Sequence, residues 1–259
     1  MGSGYHMNLE QLERQIEEEN IKMMFLCSPH NPIARVWRRE ELERLGDICY
    51  KHQVLVVSDK IHSDLVFQGK HSVFATVKPE FEEFSIICTA PSKTFNIAGL
   101  QVSNIIIPNR RLRKKFRRQL ISIGTGILSM TGIAACKAAY QNGEVWYQAM
   151  MNYIKENIEY VESYIKEELP EIKVANQEGT YLMWLDFRGL NLEEEQLETL
   201  LTEKAKIWLN RGSMFGIEGK DFQRMNVACP RSLLKTGSYL QVQSISEINR
   251  IIMFKSELL

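Results

Sequence analysis

The sequence predicts an α/β protein: a mostly parallel sheet sandwiched by helices, followed by a smaller C-terminal α+β domain. Three observations carry that expectation. Short, continuously apolar runs (Ile21–Leu26, Val54–Ser58, Ser85–Thr89, Val102–Pro108) recur between helical stretches, as strands buried on both faces do. The polar residues Asn31, Asp59 and Lys93 follow the ends of such runs, and open α/β sheets bind ligands beyond the carboxyl ends of their strands. Past Pro170 the texture changes to strands interleaved with helices, as in an α+β unit.

Taken in order, residues 8–20 read as a polar helix and lead into the first apolar run. Pro29, Asn31 and Pro32 break the chain into a turn. Arg38–His52 carries Leu42, Leu45, Ile48 and Cys49 at helical spacing, and the second run follows it. A long helical pattern spans Gly143–Leu169 and stops at Pro170. Beyond it, Ile172–Ala175, Tyr181–Asp186 and Arg224–Ala228 read as strands, and Leu192–Lys206 and Ser246–Leu258 as helices. The expected division is 1–142 for a large domain, 143–170 for a linking helix and 171–259 for a small domain.

Composition narrows the function classes. In 259 residues, 44% are hydrophobic and 25% charged, which is the balance of an ordinary globular protein. Formal net charge is zero, so no global field recruits nucleic acid or an anionic membrane, and neither is expected as a partner. The basic stretch Asn109–Arg118 reads as the solvated face of a helix. Five scattered cysteines, without C-x-x-C spacing, argue against a disulfide framework or a zinc site and for a reducing cytoplasm; no metal is expected. No apolar run approaches a membrane span.

Chemistry gathers in three segments. Ala90–Leu100 reads A-P-S-K-T-F-N-I-A-G-L, which puts Lys93 in a turn of small and hydroxyl residues directly after an apolar strand. A lysine partly desolvated there has a depressed pKa and can condense with an aldehyde, although a surface loop lysine has the same local look. Residues 28–37 read S-P-H-N-P-I-A-R-V-W, with the amide of Asn31 in a rigid turn, and residues 56–64 read V-V-S-D-K-I-H-S-D, with Asp59 at a strand end. Each of these alone is common, as a turn or as a helix cap.

Together and in this order they resemble the signature of fold-type I, pyridoxal-phosphate-dependent enzymes of the class I/II aminotransferase superfamily. The resemblance is closer still to the cystathionine β-lyase group of the MalY and PatB type, whose stretches look like N-P-H-N-P-x-G-R-V-W, D-E-I-H-x-D and A-P-S-K-T-F-N-x-A-G-L. It implies pyridoxal 5'-phosphate as cofactor and Lys93 as its covalent anchor and general base. Asp59 would face the pyridine nitrogen, Asn31 the phenolic oxygen, and Ser92 would either contact the phosphate or serve as a turn hydroxyl. His62 would stand beside the ring, where transaminases of this fold carry a tyrosine, or else serve as a helix-start histidine. Residues 223–231, Q-R-M-N-V-A-C-P-R, are similar to the family's R-x-N-x-x-C-P-R. That match makes Arg224 the clamp for a substrate carboxylate and leaves Arg231 open as an ion-pair partner. Residues 210–216 and 179–186 resemble the loop before that clamp and a small-domain strand.

The resemblance further implies a homodimer, and β-elimination on a cystathionine- or cysteine-like amino acid to give pyruvate, ammonia and a thiol. Two other readings stay open: a class I/II aminotransferase, and a truncated, impaired remnant acting as a binding or regulatory module. The last follows from the segment that the family carries ahead of its first matching strand, with the phosphate-cradling loop, which is expected to be lacking here. Two positions also depart from the pattern. Lys60 replaces an acid and is expected to compete for the charge of Asp59, and Ala34 replaces a glycine.

Overall fold

Two strand–helix steps begin the first sheet in the computed structural model, which describes residues 4–237. Helix α1 (Leu9–Glu18) starts where the Asn8 side chain accepts from the Gln11 amide at 3.0 Å, an N-cap that satisfies one otherwise orphaned donor. Its Leu9 and Ile16 are buried. Strand β1 (Met23–Cys27) follows, then α2 (Arg39–Lys51), which buries Leu42, Leu45 and Cys49, three of the positions expected at helical spacing. Strand β2 (Leu55–Asp59) pairs parallel to β1, and β3 (Ser85–Thr89) pairs parallel to β2.

The sheet order is β1-β2-β3-β4, with β4 (Asn104–Ile106) antiparallel at its edge. The apolar run 102–108 pairs over only three residues. After β3 come the short helix α3 (Pro91–Thr94), then α4 (Arg110–Ser122), α5 (Met130–Asn142) and α6 (Glu144–Glu168). Leu112 and Phe116 of α4 pack on the cluster Val57, Ile86 and Ile107, so the helix turns its basic residues outward, with Arg111, Lys114, Lys115, Arg117 and Arg118 exposed. Helix α5 has no clear apolar period, and its alanines favour helix by propensity rather than by pattern. That is why the sequence did not predict it.

By contacts the chain forms two units. Among the described residues, the first holds 4–31, Arg35–Met151 and Glu178–Thr180; the second holds Pro32–Ala34, Asn152–Gln177 and 181–237. In the second unit, β5 (Lys173–Val174), β6 (Leu182–Asp186), β7 (Asn210–Arg211) and β8 (Phe222–Asn226) form an antiparallel sheet of order β5-β6-β8-β7. Ile154, Ile158, Val161 and Ile165 supply the buried stripe of α6. Asn157 is fully buried between them and donates to the carbonyls of Val227 (2.8 Å) and Cys229 (3.0 Å), so its desolvated amide is satisfied. The helix expected over Leu192–Lys206 is α7 (Glu194–Thr199), which widens into a π-turn over Leu200–Lys204. The helix expected over Ser246–Leu258 lies outside the described residues. Among the described residues, no helix is long and apolar enough to cross a membrane.

Candidate active site

Three parallel strands end at one level. Cys27 of β1 pairs with Asp59 of β2, and Asp59 pairs with Cys88 of β3. The chain leaving each strand carries one expected residue: Asn31 after β1, Asp59 itself on β2, and Lys93 after β3. Main-chain bonds hold this edge, with Ser28 N donating to Asp59 O (3.0 Å) and Lys60 N to Cys88 O (2.9 Å). The fold thus brings residues 62 positions apart to one edge of one sheet, as parallel strands joined by crossovers must.

Asp59 sits between two half-buried thiols. Burial pushes both Cys27 and Cys88 up from the ordinary thiol value, and the Asp59 charge adds to each. The Asn31 N–H donates to the Cys27 sulfur and opposes the rise there. One carboxylate oxygen of Asp59 accepts from Ile61 N at 3.1 Å. Among the described residues Asp59 enters no ion pair, and the adjacent Lys60 does not reach it. The competition expected from Lys60 takes no ion-pair form among the described residues.

Lys93 is the third residue of α3 and is half-buried, as is Ser92 before it; among the described residues its ammonium has no ion-pair partner either. His62 is 4% exposed, in the turn after Asp59. Asn31, Asp59, His62, Ser92 and Lys93 all belong to the first unit. An amine, an unpaired carboxylate and an amide at one sheet edge suit an aldehyde carried on a protonated heteroaromatic ring with a phenolic oxygen.

Arg224 belongs to the second unit, on β8. Its Nη2 donates to Asn210 Oδ1 at 2.7 Å, and its guanidinium lies 4.7 Å from the centre of the Phe215 ring. Burial lowers its pKa, opposed by Tyr181. Arg231 is an ion-pair partner: it bonds Asn157 (2.9 Å) and Glu156 (3.0 Å) and lies over the Tyr153 ring.

Asp64 is the residue that sequence reasoning passed over. Its carboxylate accepts from Thr94 Oγ1 at 2.8 Å, and its carbonyl accepts from the Tyr147 hydroxyl at 2.6 Å. The signal was there, since Asp64 closes the stretch after Asp59 and Thr94 follows Lys93. Their pairing across 30 residues carries no periodicity that a sequence can reveal.

Comparison with known proteins gives the chain's relatives. The sequence profile of aminotransferase class I and II covers residues 2–236. Cystathionine beta-lyase PatB of Bacillus subtilis is 41% identical over 234 residues, which are 90% of this chain and 60% of that protein. Cystalysin from Treponema denticola, whose crystal structure contains pyridoxal 5'-phosphate, superimposes with a TM-score of 0.92 at 34% identity, covering 95% of this chain and 63% of that one. The pyridoxal-phosphate-bound C-S lyase from Staphylococcus hominis gives 0.86 at 32% identity, covering 94% of this chain and 63% of that one. The chain spans about 60% of the length of the curated relatives it matches.

Proposed function

The chain belongs to the aminotransferase class I and II family, and within it we propose that this protein serves a pyridoxal-phosphate-dependent carbon–sulfur β-lyase. The observation that carries the reading is the 41% identity, over 90% of the chain, to a cystathionine β-lyase. The three-segment signature on one sheet edge supports the cofactor. When bound, pyridoxal phosphate supplies an aldehyde for an amine and an electron-accepting ring. On this reading, residues 1–142 are the cofactor-binding large domain, 143–170 the linking helix and 171–259 the small domain.

Lys93 would hold the cofactor through its amine, and its Nζ, when free, would take the substrate Cα proton. Asp59 would face the ring nitrogen and accept its N–H, keeping the proton there. Asn31 would donate to the phenolic oxygen and Ser92 to the phosphate, and His62 would stand beside the ring. Arg224 takes the α-carboxylate of the substrate with its planar fork. The substrate is an L-amino acid with sulfur at Cβ: the thiolate departs from Cβ, and the released enamine hydrolyses to pyruvate and ammonia. The working form is a homodimer, to be checked by sedimentation.

The test is L-cystathionine with added pyridoxal phosphate and no keto acid. Pyruvate, ammonia and thiol are expected from the parent chain, and neither products nor a visible cofactor band from Lys93→Ala. Turnover only when a keto acid is supplied would make it an aminotransferase. A cofactor band without either reaction would leave the impaired remnant.

A further inference from the structure

Helix α3, which bears Lys93, is four residues long. One turn does not hold itself in water, since nucleation costs more than a single hydrogen bond returns. Its own bonds are Phe95 N to Pro91 O (2.9 Å) and Ile97 N to Ser92 O (3.2 Å). Lysine adds four rotatable carbons to that turn, yet an amine that attacks an aldehyde and then removes a proton must be held within a fraction of an ångström. The rigidity has to come from outside α3.

It comes from the two residues after Lys93. Thr94 is 2% exposed, and its hydroxyl donates to Asp64 Oδ2 at 2.8 Å. A hydroxyl bound to a carboxylate is among the stronger hydrogen bonds, and a buried one cannot be exchanged for water. Asp64 is itself anchored: its carbonyl accepts from Tyr147 of α6 at 2.6 Å, and Ser63 Oγ lies 3.4 Å from its Oδ1. Phe95 is held by packing, edge-on to Tyr140 (5.6 Å) and tilted against Trp146 (5.8 Å). Gly143, between α5 and α6, leaves the room for that ring, since a Cβ there would lie 2.5 Å from it. Tyr140 closes the circuit by sharing a hydrogen bond with the side chain of Thr89, the last residue of β3; burial and then Asp64 raise its pKa.

From this we infer that Asp64 is a positioning residue for Lys93, acting through Thr94: the Asp64–Thr94 bond is the polar latch that holds the Lys93 turn against α6. The inference rests on the reading that Lys93 carries the aldehyde, and its consequence is separable from that reading. Without the latch the turn frays locally while the sheet beneath it stays intact.

The experiment uses the full chain and two readouts on Thr94→Val, Thr94→Ser and Asp64→Asn. The first is borohydride trapping of pyridoxal 5'-phosphate, with peptide mapping of Lys93 against the exposed Lys114 as internal reference. The second is amide hydrogen exchange over residues 91–97, with residues 85–89 of β3 as control. Thr94→Val should lower Lys93 marking about tenfold, the scale of loss expected from sub-ångström misplacement, and speed exchange in 91–97 alone. Thr94→Ser should restore both, and Asp64→Asn, which keeps an acceptor, should fall between. Unchanged marking and exchange in Thr94→Val, or faster exchange spread into 85–89, overturns the inference. If Lys93 of the parent chain is marked no more than Lys114, the cofactor reading falls and exchange alone decides. Local loosening in Thr94→Val rescued by Thr94→Ser then upholds the latch, and its absence ends it.

Discussion

The Arg35 guanidinium donates from Nη1 to Glu178 Oε2 across 2.6 Å and so joins residues 143 apart in sequence. Its Nη2 reaches both oxygens of Glu41 (3.0 and 3.1 Å), and the same Glu178 oxygen accepts from Val36 N at 2.7 Å. Arg35 is 6% exposed. A buried pair of this kind adds little over an apolar replacement, but breaking it strands a charge. Arg35→Ala should therefore cost about 3–5 kcal/mol in urea unfolding. Glu178→Gln, which keeps an acceptor for Val36, should cost less. Equal and small effects in both would contradict a desolvated ion pair.

Gly46 lies in the middle of α2, where a Cβ would come within 2.1 Å of the Phe81 ring. That ring is fully buried, stacked on Phe74 at 5.0 Å and edge-on to Phe84 at 5.4 Å, so it cannot step aside. Helix propensity favours alanine by about 1 kcal/mol, whereas overpacking costs about 1–3 kcal/mol or more. Gly46→Ala should lower stability, and adding Phe81→Leu should recover part of the loss. A stabilised Gly46→Ala in denaturant melts would show that propensity wins.

His71 makes stability depend on pH. Burial, and next the Lys60 charge, pull its pKa from 6.5 to about 4, with Asp64 opposing. The unfolded chain therefore binds a proton that the folded chain refuses between those values, and stability falls as pH drops from about 6.5 to about 4. Above that window the contribution is flat. The loss is at most about 3–4 kcal/mol at 1.36 kcal/mol per unit. Thermal melts of the parent chain and His71→Gln should diverge across that window; parallel curves would remove His71 as the cause.

Ala34 has φ of +58° and is fully buried, at the position where the resembling pattern carries glycine. The left-handed backbone is kept although an L side chain pays about 1–2 kcal/mol there. Ala34→Gly relieves that cost but loses a buried methyl worth about 0.8 kcal/mol and adds unfolded-state entropy of similar size. The balance is near zero. Ala34→Val, branched at Cβ, should lose about 2 kcal/mol or more. A valine variant that melts with the parent chain would show that the turn relaxes.

On the proposed lyase reading, Arg224→Ala should lower kcat/KM on L-cystathionine by about 30-fold or more, since removing one partner of a desolvated charge pair costs about 2–5 kcal/mol. Lys at this position should recover little, because its ammonium lacks the planar fork. Parent-like kinetics in Arg224→Ala would move the carboxylate clamp elsewhere.

The sequence by itself determined the sheet class and three of the residues at its carboxyl edge. Apolar runs between helices read as strands, although β1 and β4 leave much of their length exposed; Ser85–Thr89 emerged with its expected bounds, and Asn31, Asp59 and Lys93 lie at one edge. Local patterns also carried α2 and α6, whose apolar spacing survives folding. Tertiary structure alone decided the rest. Helix α5 has propensity without period, and β4 is shortened and reversed by pairing that only the folded sheet defines. The Asp64–Thr94 latch, the Arg35–Glu178 pair and the space that Gly46 leaves for Phe81 join residues 30, 143 and 35 positions apart. Such contacts leave no trace in local spacing, because a hydrogen bond or a packed ring depends on where two distant segments meet and not on what lies beside either of them in the chain.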